Sequence, residues 1–212
     1  GSRLHAYRPA LVPGDAVVIQ SLACVIEALG RVEVAGRDVG IIGLGPIGLL
    51  FAHVARARGA RTVVGVDLVD RAGVRELFGL DECVQASSGT WAEAPRRRPD
   101  IVVEAVGHQT ATINHALQAV AVGGTVLCFG IPDQDVYPVD VERMMRKNVT
   151  MIGGITRFHA QALALADDYL REHAELPSRL VTHRFGRADV QCAYETAARP
   201  ATDRLKVVLD LV

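Results

Sequence analysis

The chain has 212 residues, half of them hydrophobic, which is enough to bury one sizeable core with a small appendage. The chain has 23 basic and 24 acidic residues, which give a net charge of −1. It therefore lacks the excess of positive charge that is typical of proteins that bind nucleic acid or a membrane surface. No apolar stretch reaches the roughly 18 residues of a membrane span, and the amino terminus shows no signal-peptide pattern, so we expect a cytoplasmic protein that handles small molecules.

The cysteines indicate the same compartment. They are widely scattered and form no C-x-x-C pair, which argues against a disulfide framework or a zinc knuckle and predicts buried thiols. The four are Cys24, Cys83, Cys128 and Cys192. Gly1 and Ser2 are typical of a cloning scar, so we expect the natural chain to begin further upstream.

The amino-terminal segment, residues 3–18, contains Pro13 and Gly14 and shows no sustained periodicity, which predicts an extended tail. Residues 19–29 carry apolar side chains at helical spacing and are followed by Gly30, so they predict a helix with one buried face. This helix leads to residues 38–67, on which the functional prediction depends.

Residues 38–67, DVGIIGLGPIGLLFAHVARARGARTVVGVD, have the pattern of a strand, a glycine turn, a helix and a second strand that ends in an acid. Asp67 lies 22 residues after Gly45, close to the roughly 20 expected of a dinucleotide fingerprint. A glycine turn alone is a weak signal. The complete strand, turn, helix and strand context favours a nicotinamide-cofactor site over a purely structural turn.

Each residue of the turn has a physical reason for its place in such a site. Gly43 lets the chain turn sharply off the strand, Gly45 lets the backbone approach a pyrophosphate, and Gly48 lets the helix lie close on the sheet. Pro46, which has no amide hydrogen, suits the first helical turn, and the free amides and positive dipole end face the phosphates. With Ile47, these residues are the predicted phosphate-binding turn.

Asp67 is predicted to choose between the two nicotinamide cofactors. At the carboxyl end of the second strand it can accept hydrogen bonds from the ribose hydroxyls of adenosine, and it would repel a 2′-phosphate, so NAD is favoured over NADP. The alternatives for Asp67 are an ordinary strand-end acid or a helix cap. For Arg71 they are a 2′-phosphate contact or a solvated helix residue.

The rest of the chain alternates between helix and strand patterns. A helix capped by Asp70 and ended by Gly79 precedes a strand at residues 83–85. Residues 87–100 are predicted to form a helix and a loop on the surface. The arginines at residues 96–98 are predicted to be solvated, and a phosphate clamp is the alternative. Further strands are predicted over residues 100–107, 125–131 and 149–152, and helices over residues 113–120, 141–146 and 160–173. The alternation predicts an α/β fold, a doubly wound, parallel, six-stranded Rossmann sheet with helices on both faces.

The last part of the chain breaks this rhythm. A strand at residues 181–185, a helix at 188–198 and a strand at 206–209 are additions that need a further partner to pack against. We therefore predict a tail at residues 1–18, a cofactor-binding domain at 19–175 and a short carboxyl-terminal extension at 176–212.

The order of these segments resembles the medium-chain dehydrogenase/reductase superfamily, the zinc-type alcohol and polyol dehydrogenases. The resemblance covers nearly the whole chain and lies in the successive segments QSLACVIEAL, AGRDVGIIGLGPIGLL, VGVDLVD, DIVVEAVG, GGTVLCFGI, KNVTMIGG, LVTHRF and LKVVLD. It implies the NAD-binding portion of an oxidoreductase that transfers hydride between nicotinamide and an alcohol or carbonyl substrate.

The resemblance also implies further cofactor contacts. Val106 and Gly107 after the fourth strand, and Gly130 and Ile131 after the fifth, would line the adenosine and nicotinamide ends, in agreement with the rule that places ligands at the carboxyl ends of parallel strands. Lys206 falls where the family commonly has a basic residue near the pyrophosphate, and an exposed strand lysine is the alternative.

Relatives of this kind also have a catalytic domain before this region, so we expect the chain to be a fragment that is inactive alone. Where polyol-type members have an acidic zinc ligand in an E-P-L sequence, this chain has Gln20, Ser21 and Leu22, and a neutral amide is a poor zinc ligand. The seven histidines show no ligand spacing, so neither a metal ligand nor a catalytic residue is assigned. His108, beside Gly107, is a candidate cofactor contact.

Two alternatives remain open. One is a non-catalytic NAD-binding module that senses redox state or regulates a partner, and the other is a nucleotide-dependent transferase such as a methyltransferase. The resemblance further implies a homodimer that pairs the sheet edge at residues 149–152, since an apolar edge of this kind is unlikely to stay unpaired in water.

Overall fold

The computed structural model describes Ala6 and residues 11–153 and 156–211, and it divides the chain into two units. The sheet unit is Ala28–Ile155, and the terminal unit joins the two ends of the chain, Gly1–Glu27 and Thr156–Val212. Gly1, Ser2 and residues 3–5 and 7–10 of the predicted tail lie outside the described residues. In the described part the predicted extended conformation is wrong, because Pro13–Ala16 is helical and the next helix begins at Val18. Pro13 suits this position, since a proline is tolerated in the first turn of a helix. The domain boundaries at residues 18 and 175 stay a prediction.

Six short strands, most of them apolar, form the parallel sheet of the sheet unit. The strands are β1 (Asp38–Ile42), β2 (Thr62–Asp67), β3 (Glu82–Gln85), β4 (Ile101–Glu104), β5 (Thr125–Cys128) and β6 (Thr150–Gly153). Their order across the sheet is β3-β2-β1-β4-β5-β6, and every neighbouring pair is parallel. The predicted doubly wound sheet is therefore confirmed.

The centre of the sheet explains the sequence of β1. All five of its residues are buried, because β1 is flanked by β2 and β4 and the faces of the sheet are covered. A strand buried on both faces is a near-continuous apolar run rather than an alternating one, and residues 39–42 follow this rule after the initial Asp38. The strand order reverses between β1 and β4, and it is outside the carboxyl ends at such a point that ligands bind in open α/β sheets.

The helices connect these strands and complete the terminal unit. They are α1 (Pro13–Ala16), α2 (Val18–Leu29), α3 (Pro46–Ala57), α4 (Ser88–Glu93), α5 (Thr112–Ala119), α6 (Val141–Arg146), α7 (His159–Glu172), α8 (Leu176–Leu180) and α9 (Val190–Ala198). In the described part of the chain, none of them combines the length and the apolar character needed to cross a bilayer.

The helix predicted after Asp70 is wrong, because this segment forms two separate 3-10 turns, Ala72–Val74 and Glu76–Phe78. Asp70 is not the cap, because Arg71 occupies the cap position of the first turn. The Asp70 carboxylate accepts a 2.8 Å bond from the Ala72 amide, and the flexible Gly73 weakens continuation as an α-helix. Gly79 ends the segment in the left-handed region with φ +70°, as predicted.

The strands predicted over residues 100–107 and 125–131 are too long, because β4 ends at Glu104 and β5 ends at Cys128. Beyond Cys128 the amides of Phe129 and Gly130 both donate to the carbonyl of Glu104, each at 3.0 Å. Two successive amides that share one acceptor cannot continue a parallel ladder, whose hydrogen bonds are evenly spaced. The chain therefore leaves the sheet close to the end of β4.

The arginine run at residues 96–98 is exposed, as predicted, and two of its side chains also make contacts within the sheet unit. Arg97 pairs with the nearly buried carboxylate of Asp38, with 2.6 Å between Nε and Oδ2. Arg98 donates to the carbonyl of Gln118 in the last turn of α5, where a cation complements the helix dipole. Both side chains thus fasten the loop to the sheet unit.

The carboxyl-terminal strands find their pairing partner within the terminal unit. Strands β7 (Val181–Gly186) and β8 (Lys206–Asp210) form a two-stranded parallel sheet against which α9 packs. An ion pair between Arg184 and Asp15 ties this sheet to the segment of α1.

Candidate functional site

The turn between β1 and α3 has the geometry of a phosphate-binding loop. Gly43 has φ +91°, a conformation that side chains rarely adopt, and its amide donates to the carbonyl of Val66 at 2.9 Å. A Cβ atom at Gly48 would lie 1.8 Å from the carbonyl oxygen of Gly43, so only glycine lets α3 approach the strand this closely.

Gly45 differs from Gly43 and Gly48, the other two glycines of the turn, because the space beside it is open. A Cβ atom built on Gly45 would meet no other atom within 4 Å, and the residue precedes Pro46 at the amino end of α3. The first amides of a helix have no intrahelical partner and carry the positive end of the dipole. An anionic group at this end of the helix would therefore meet bare main chain and unpaired amides.

Asp67 ties the end of β2 to the glycine turn. Its Oδ2 accepts a 2.6 Å hydrogen bond from the amide of Leu44, and its Oδ1 accepts a 2.8 Å bond from the amide of Val69. A carboxylate offers about four acceptor sites, and Asp67 is only partly buried, so capacity remains for a ribose hydroxyl. The turn and the acid are thus coupled parts of one site.

The ends of β4 and β5 meet in the other half of the sheet. A Cβ atom at Gly107, where φ is +80°, would lie 2.3 Å from the amide nitrogen of Ile131, and one at Gly130 would lie 2.2 Å from the amide nitrogen of Gly107. The buried carboxyl group of Glu104 accepts from the amides of Val106 and Gly107 at 2.9 and 3.0 Å. The two turns are therefore in backbone contact.

The side chains predicted around these turns differ in exposure. Ile131 is 84% exposed and His108 is also exposed, so both border open space beyond the carboxyl ends of the strands. Lys206 lies at the start of β8 in the terminal unit, where burial lowers the pKa of its amine. The cofactor contacts of His108 and Lys206 stay predictions.

Residues 46–169 match the family model that describes zinc-binding dehydrogenases, which is more than half of the chain. The chain belongs to the zinc-binding dehydrogenase family. Among its relatives in that family, D-altritol 5-dehydrogenase of Agrobacterium fabrum is 32% identical over 180 residues, which are 80% of this chain and 51% of that protein. The chain thus spans about half the length of the curated relatives that it matches.

Solved structures share the fold of this zinc-binding dehydrogenase chain. A short chain alcohol dehydrogenase of E. coli CFT073, complexed with NADH, superposes with a TM-score of 0.83 at 20% identity, over 98% of this chain and 62% of that one. A protein of Sinorhizobium meliloti 1021 described as a zinc-binding dehydrogenase and bound to NADP gives 0.76 at 25% identity, over 96% and 61%.

The family description implies zinc, and the donor atoms around Gln20 test whether this chain fits one. The side-chain amide of Gln20 donates to Cys24 Sγ at 3.2 Å, which leaves a neutral carbonyl oxygen as the remaining donor atom. Zinc sites use thiolate, imidazole and carboxylate ligands. Gln20 therefore does not fit a catalytic zinc, and no chemical step is assigned to the metal.

Two residues of the site were not singled out in the sequence. Glu104 is 1% exposed, and its signal is an acid inside the apolar strand DIVVEAVG, since a buried carboxyl group requires hydrogen-bond partners. Tyr137 donates a 2.6 Å hydrogen bond to the carbonyl of Gly107. It has no comparable signal, because 30 residues separate the two partners.

Proposed function

We propose that the chain binds NAD and forms the cofactor-binding portion of a dehydrogenase that transfers hydride between nicotinamide and an alcohol or carbonyl substrate. The open approach to the backbone at Gly45 carries this proposal, because it leaves room for a pyrophosphate at the amino end of α3. Membership of the zinc-binding dehydrogenase family supports the same reading. The cofactor itself supplies the hydride chemistry, and the protein binds and orients it.

The residues of the chain divide between the two halves of the cofactor. Asp67 would accept bonds from the adenosine ribose, while Gly107 and Gly130 border the nicotinamide half, because the two halves of a doubly wound sheet each receive one mononucleotide. The phosphate turn lies between them. The residues of the sheet unit proposed to contact the cofactor are Gly43, Gly45, Pro46, Ile47, Gly48, Asp67, Val106, Gly107, Gly130 and Ile131.

We further propose that NAD is preferred over NADP. Asp67 occupies the end of β2 and already holds the amides of Leu44 and Val69, so a 2′-phosphate would have to approach a fixed negative charge. Solved relatives with NADH and with NADP show that the fold accommodates either cofactor. The preference therefore rests on Asp67.

Fluorescence titration of the purified chain with NADH, NADPH and S-adenosylmethionine tests this proposal. We expect NADH to bind at least about tenfold more tightly than NADPH, a difference of about 1.4 kcal/mol. Asp67→Asn keeps an acceptor for the Leu44 amide but removes the charge, so it should reduce that ratio. Binding of S-adenosylmethionine alone would support the transferase alternative, and binding of neither nicotinamide cofactor would refute the proposal.

A non-catalytic NAD-binding module is the second candidate, and Gln20 favours it. The amide at this position is bonded to Cys24 and does not fit zinc, so a metal-bound alkoxide is not available through it. Turnover assays on the full-length natural protein with polyols, secondary alcohols and NAD separate the two candidates. NADH production supports the dehydrogenase, whereas cofactor binding without turnover supports the module.

We also propose a homodimer that forms through the edge of the sheet. In the described residues, β6 is the last strand of the sheet order and pairs only with β5, so its outer edge is available to a second copy. Half-buried Met151 and Ile152 give this edge apolar character. Light scattering at micromolar concentration should give a dimeric mass, and a monomeric mass would contradict the proposal.

The cytoplasm is the compartment that we propose for this protein. All four cysteines are free thiols, and burial raises the pKa of Cys83 and of Cys128 to about 11, which keeps both thiols protonated and unreactive at neutral pH. The predicted burial of all four is wrong, since Cys24, Cys83 and Cys128 are half-buried and Cys192 is exposed. Free thiols are nevertheless typical of a reducing compartment.

A further inference from the structure

The turn at Gly107 is held from two sides. On the inner side, Glu104 Oε1 accepts the amides of Val106 and Gly107, and this carboxyl group is buried. On the outer side, the carbonyl of Gly107 accepts the 2.6 Å hydrogen bond from the hydroxyl of Tyr137. The residue in the left-handed conformation is therefore fixed at both its amide and its carbonyl.

We propose that Tyr137, acting through Gly107 together with Glu104, is a positioning residue for the nicotinamide half of the bound cofactor. This inference rests on the proposed function. Gly107 lies after β4, on the side of the strand-order reversal away from Asp67, where the second mononucleotide of a dinucleotide binds. A shift of its peptide would change the space beside nicotinamide, whereas the space beside Gly45 is bordered by no atom within 4 Å of a Cβ built there.

Tyr137 can serve as an anchor because the chain on both sides of it is fastened. Asn114 on α5 donates to the carbonyl of Pro138 at 3.0 Å and accepts from the amide of Asp140 at 2.8 Å. The amide of Asp133 donates to the hydroxyl oxygen of Tyr137 at 3.2 Å. The loop between β5 and α6 is thereby tied to the Gly107 turn through one hydroxyl group.

That hydroxyl group has one hydrogen and two acceptors within reach. Asp133 Oδ1 lies 2.5 Å from the Tyr137 oxygen, and the carbonyl oxygen of Gly107 lies 2.6 Å from it. Because a hydroxyl donates only one hydrogen bond, the carboxylate of Asp133 competes with Gly107. Removing the charge at Asp133 should therefore strengthen the Tyr137–Gly107 bond, whereas removing the hydroxyl abolishes it.

The first experiment compares the dissociation constants of NADH and ADP-ribose, which lacks nicotinamide, for wild type and Tyr137→Phe. We expect about a fivefold weakening for NADH, the effect of one hydrogen bond, and a change of less than about twofold for ADP-ribose. Tyr194→Phe is the matched control, since Tyr194 is a 68% exposed tyrosine on α9, and it should change neither constant.

The second experiment uses a substitution that should have the opposite effect on NADH binding. Asp133→Asn weakens the competing acceptor and should tighten NADH binding, while ADP-ribose binding stays the same. Asp135→Asn is the control, because it removes one negative charge from the same exposed loop but leaves the acceptor of Tyr137 in place. Its effect measures how much the loss of charge alone weakens repulsion of the anionic cofactor. If Tyr137→Phe does not fold, as judged by circular dichroism and urea unfolding, this pair of variants decides the inference.

The possible outcomes are distinct. Unchanged NADH binding in Tyr137→Phe, or equal weakening for NADH and ADP-ribose, would overturn the positioning role, because a general loss of structure affects both ligands. Equal effects of Asp133→Asn and Asp135→Asn would overturn the competition. If the wild-type protein binds ADP-ribose and NADH, the proposed function stands in all of these cases. If the wild-type protein does not bind NADH, the proposed function and the positioning role are both refuted.

Discussion

Gly107 and Gly130 lie in backbone contact, so that a Cβ atom built on Gly130 would come within 2.4 Å of the Cα atom of Gly107. The contact joins the turns that follow β4 and β5, and it leaves no volume for a side chain at either position. It also explains why β5 ends early, since the amide of Gly130 turns to the carbonyl of Glu104.

Substitution at Gly107 should be far more destabilising than substitution at another glycine of similar backbone conformation. Gly107→Ala combines left-handed strain with a backbone clash, and we expect it to lower the free energy of unfolding by about 3 kcal/mol or more. Gly123→Ala is the matched control, with φ +73° and no atom within 4 Å of its Cβ, and should lose about 1 kcal/mol. Urea unfolding gives both values, and equal losses would show that the contact is not rigid.

Two glycines of the phosphate turn should separate binding from stability. Gly45→Ala faces open space, so its free energy of unfolding should stay within about 0.5 kcal/mol of wild type, while NADH and ADP-ribose bind about tenfold more weakly. Gly48→Ala should instead destabilise by about 1–3 kcal/mol, because its Cβ would meet the carbonyl of Gly43. Calorimetric titration and urea unfolding measure the two effects, and unaltered cofactor binding by Gly45→Ala would remove the support for a pyrophosphate there.

The Asp38 carboxylate should make stability depend on pH in the acid range. Its side chain is 4% exposed and accepts bonds from Arg61 Nε at 2.7 Å and Thr62 Oγ1 at 2.8 Å. The hydrogen bonds from the Arg61 guanidinium, above all, hold the pKa of Asp38 below its ordinary value. The stabilisation is therefore fully present above the ordinary pKa of about 3.9 and is lost as the pH falls through the lowered native pKa.

Asp38→Asn tests this linkage. It should lower the free energy of unfolding by about 2 kcal/mol at pH 7, the effect of a hydrogen bond to a charged group, and the difference from wild type should shrink below about pH 4. Asp203→Asn, at an exposed aspartate, serves as the control and should change little at any pH. A difference that stays constant down to pH 3 would contradict the assignment.

Lys147 should titrate well below an ordinary lysine. Its amine donates to the carbonyls of Leu117, Gln118 and Val120 at the end of α5. Burial, with the nearby charges of Arg98 and Arg143, lowers the pKa of Lys147 to about 8. Since the unfolded pKa is about 10.4, the native state releases its proton first, and the free energy of unfolding should rise as the pH increases from about 8 to about 10.4.

The pKa of Lys147 can be measured directly by NMR, because the chain has only two lysines, Lys147 and Lys206. In protein labelled with ¹³C-lysine, two Cε signals are expected, and the signal lost in Lys147→Arg should have a midpoint near pH 8. Burial also lowers the pKa of Lys206, so its signal provides an internal comparison. Midpoints above pH 10 for both would contradict the burial of these amines.

The elements governed by local pattern were predictable from the sequence. The bounds of α6 were predicted without error, and the glycine turn lies between β1 and α3 as expected, because capping residues, glycines and apolar runs act over a few positions. Asp67 was predicted at the end of β2 for the same reason.

What the sequence could not predict depends on contacts between distant residues. The end of β5 is set by the carbonyl of Glu104, and the Gly107 turn is anchored by Tyr137, and neither pairing has a local signature. The bond from Arg97 to Asp38 likewise joins a loop to a strand 59 residues earlier in the chain. Such partners become identifiable only when the topology of the sheet brings their segments together.

The exposed main chain at Gly45 in the phosphate turn has a consequence for the design of inhibitors. A synthetic compound that fills the space of the phosphate turn would meet mainly glycine main chain, which any relative with the same fingerprint presents in the same way. Exposed Ile131 and the loop anchored by Tyr137 are side-chain features at the other half of the site. Selectivity for this protein over its relatives should therefore be sought at that loop, with the phosphate turn supplying affinity alone.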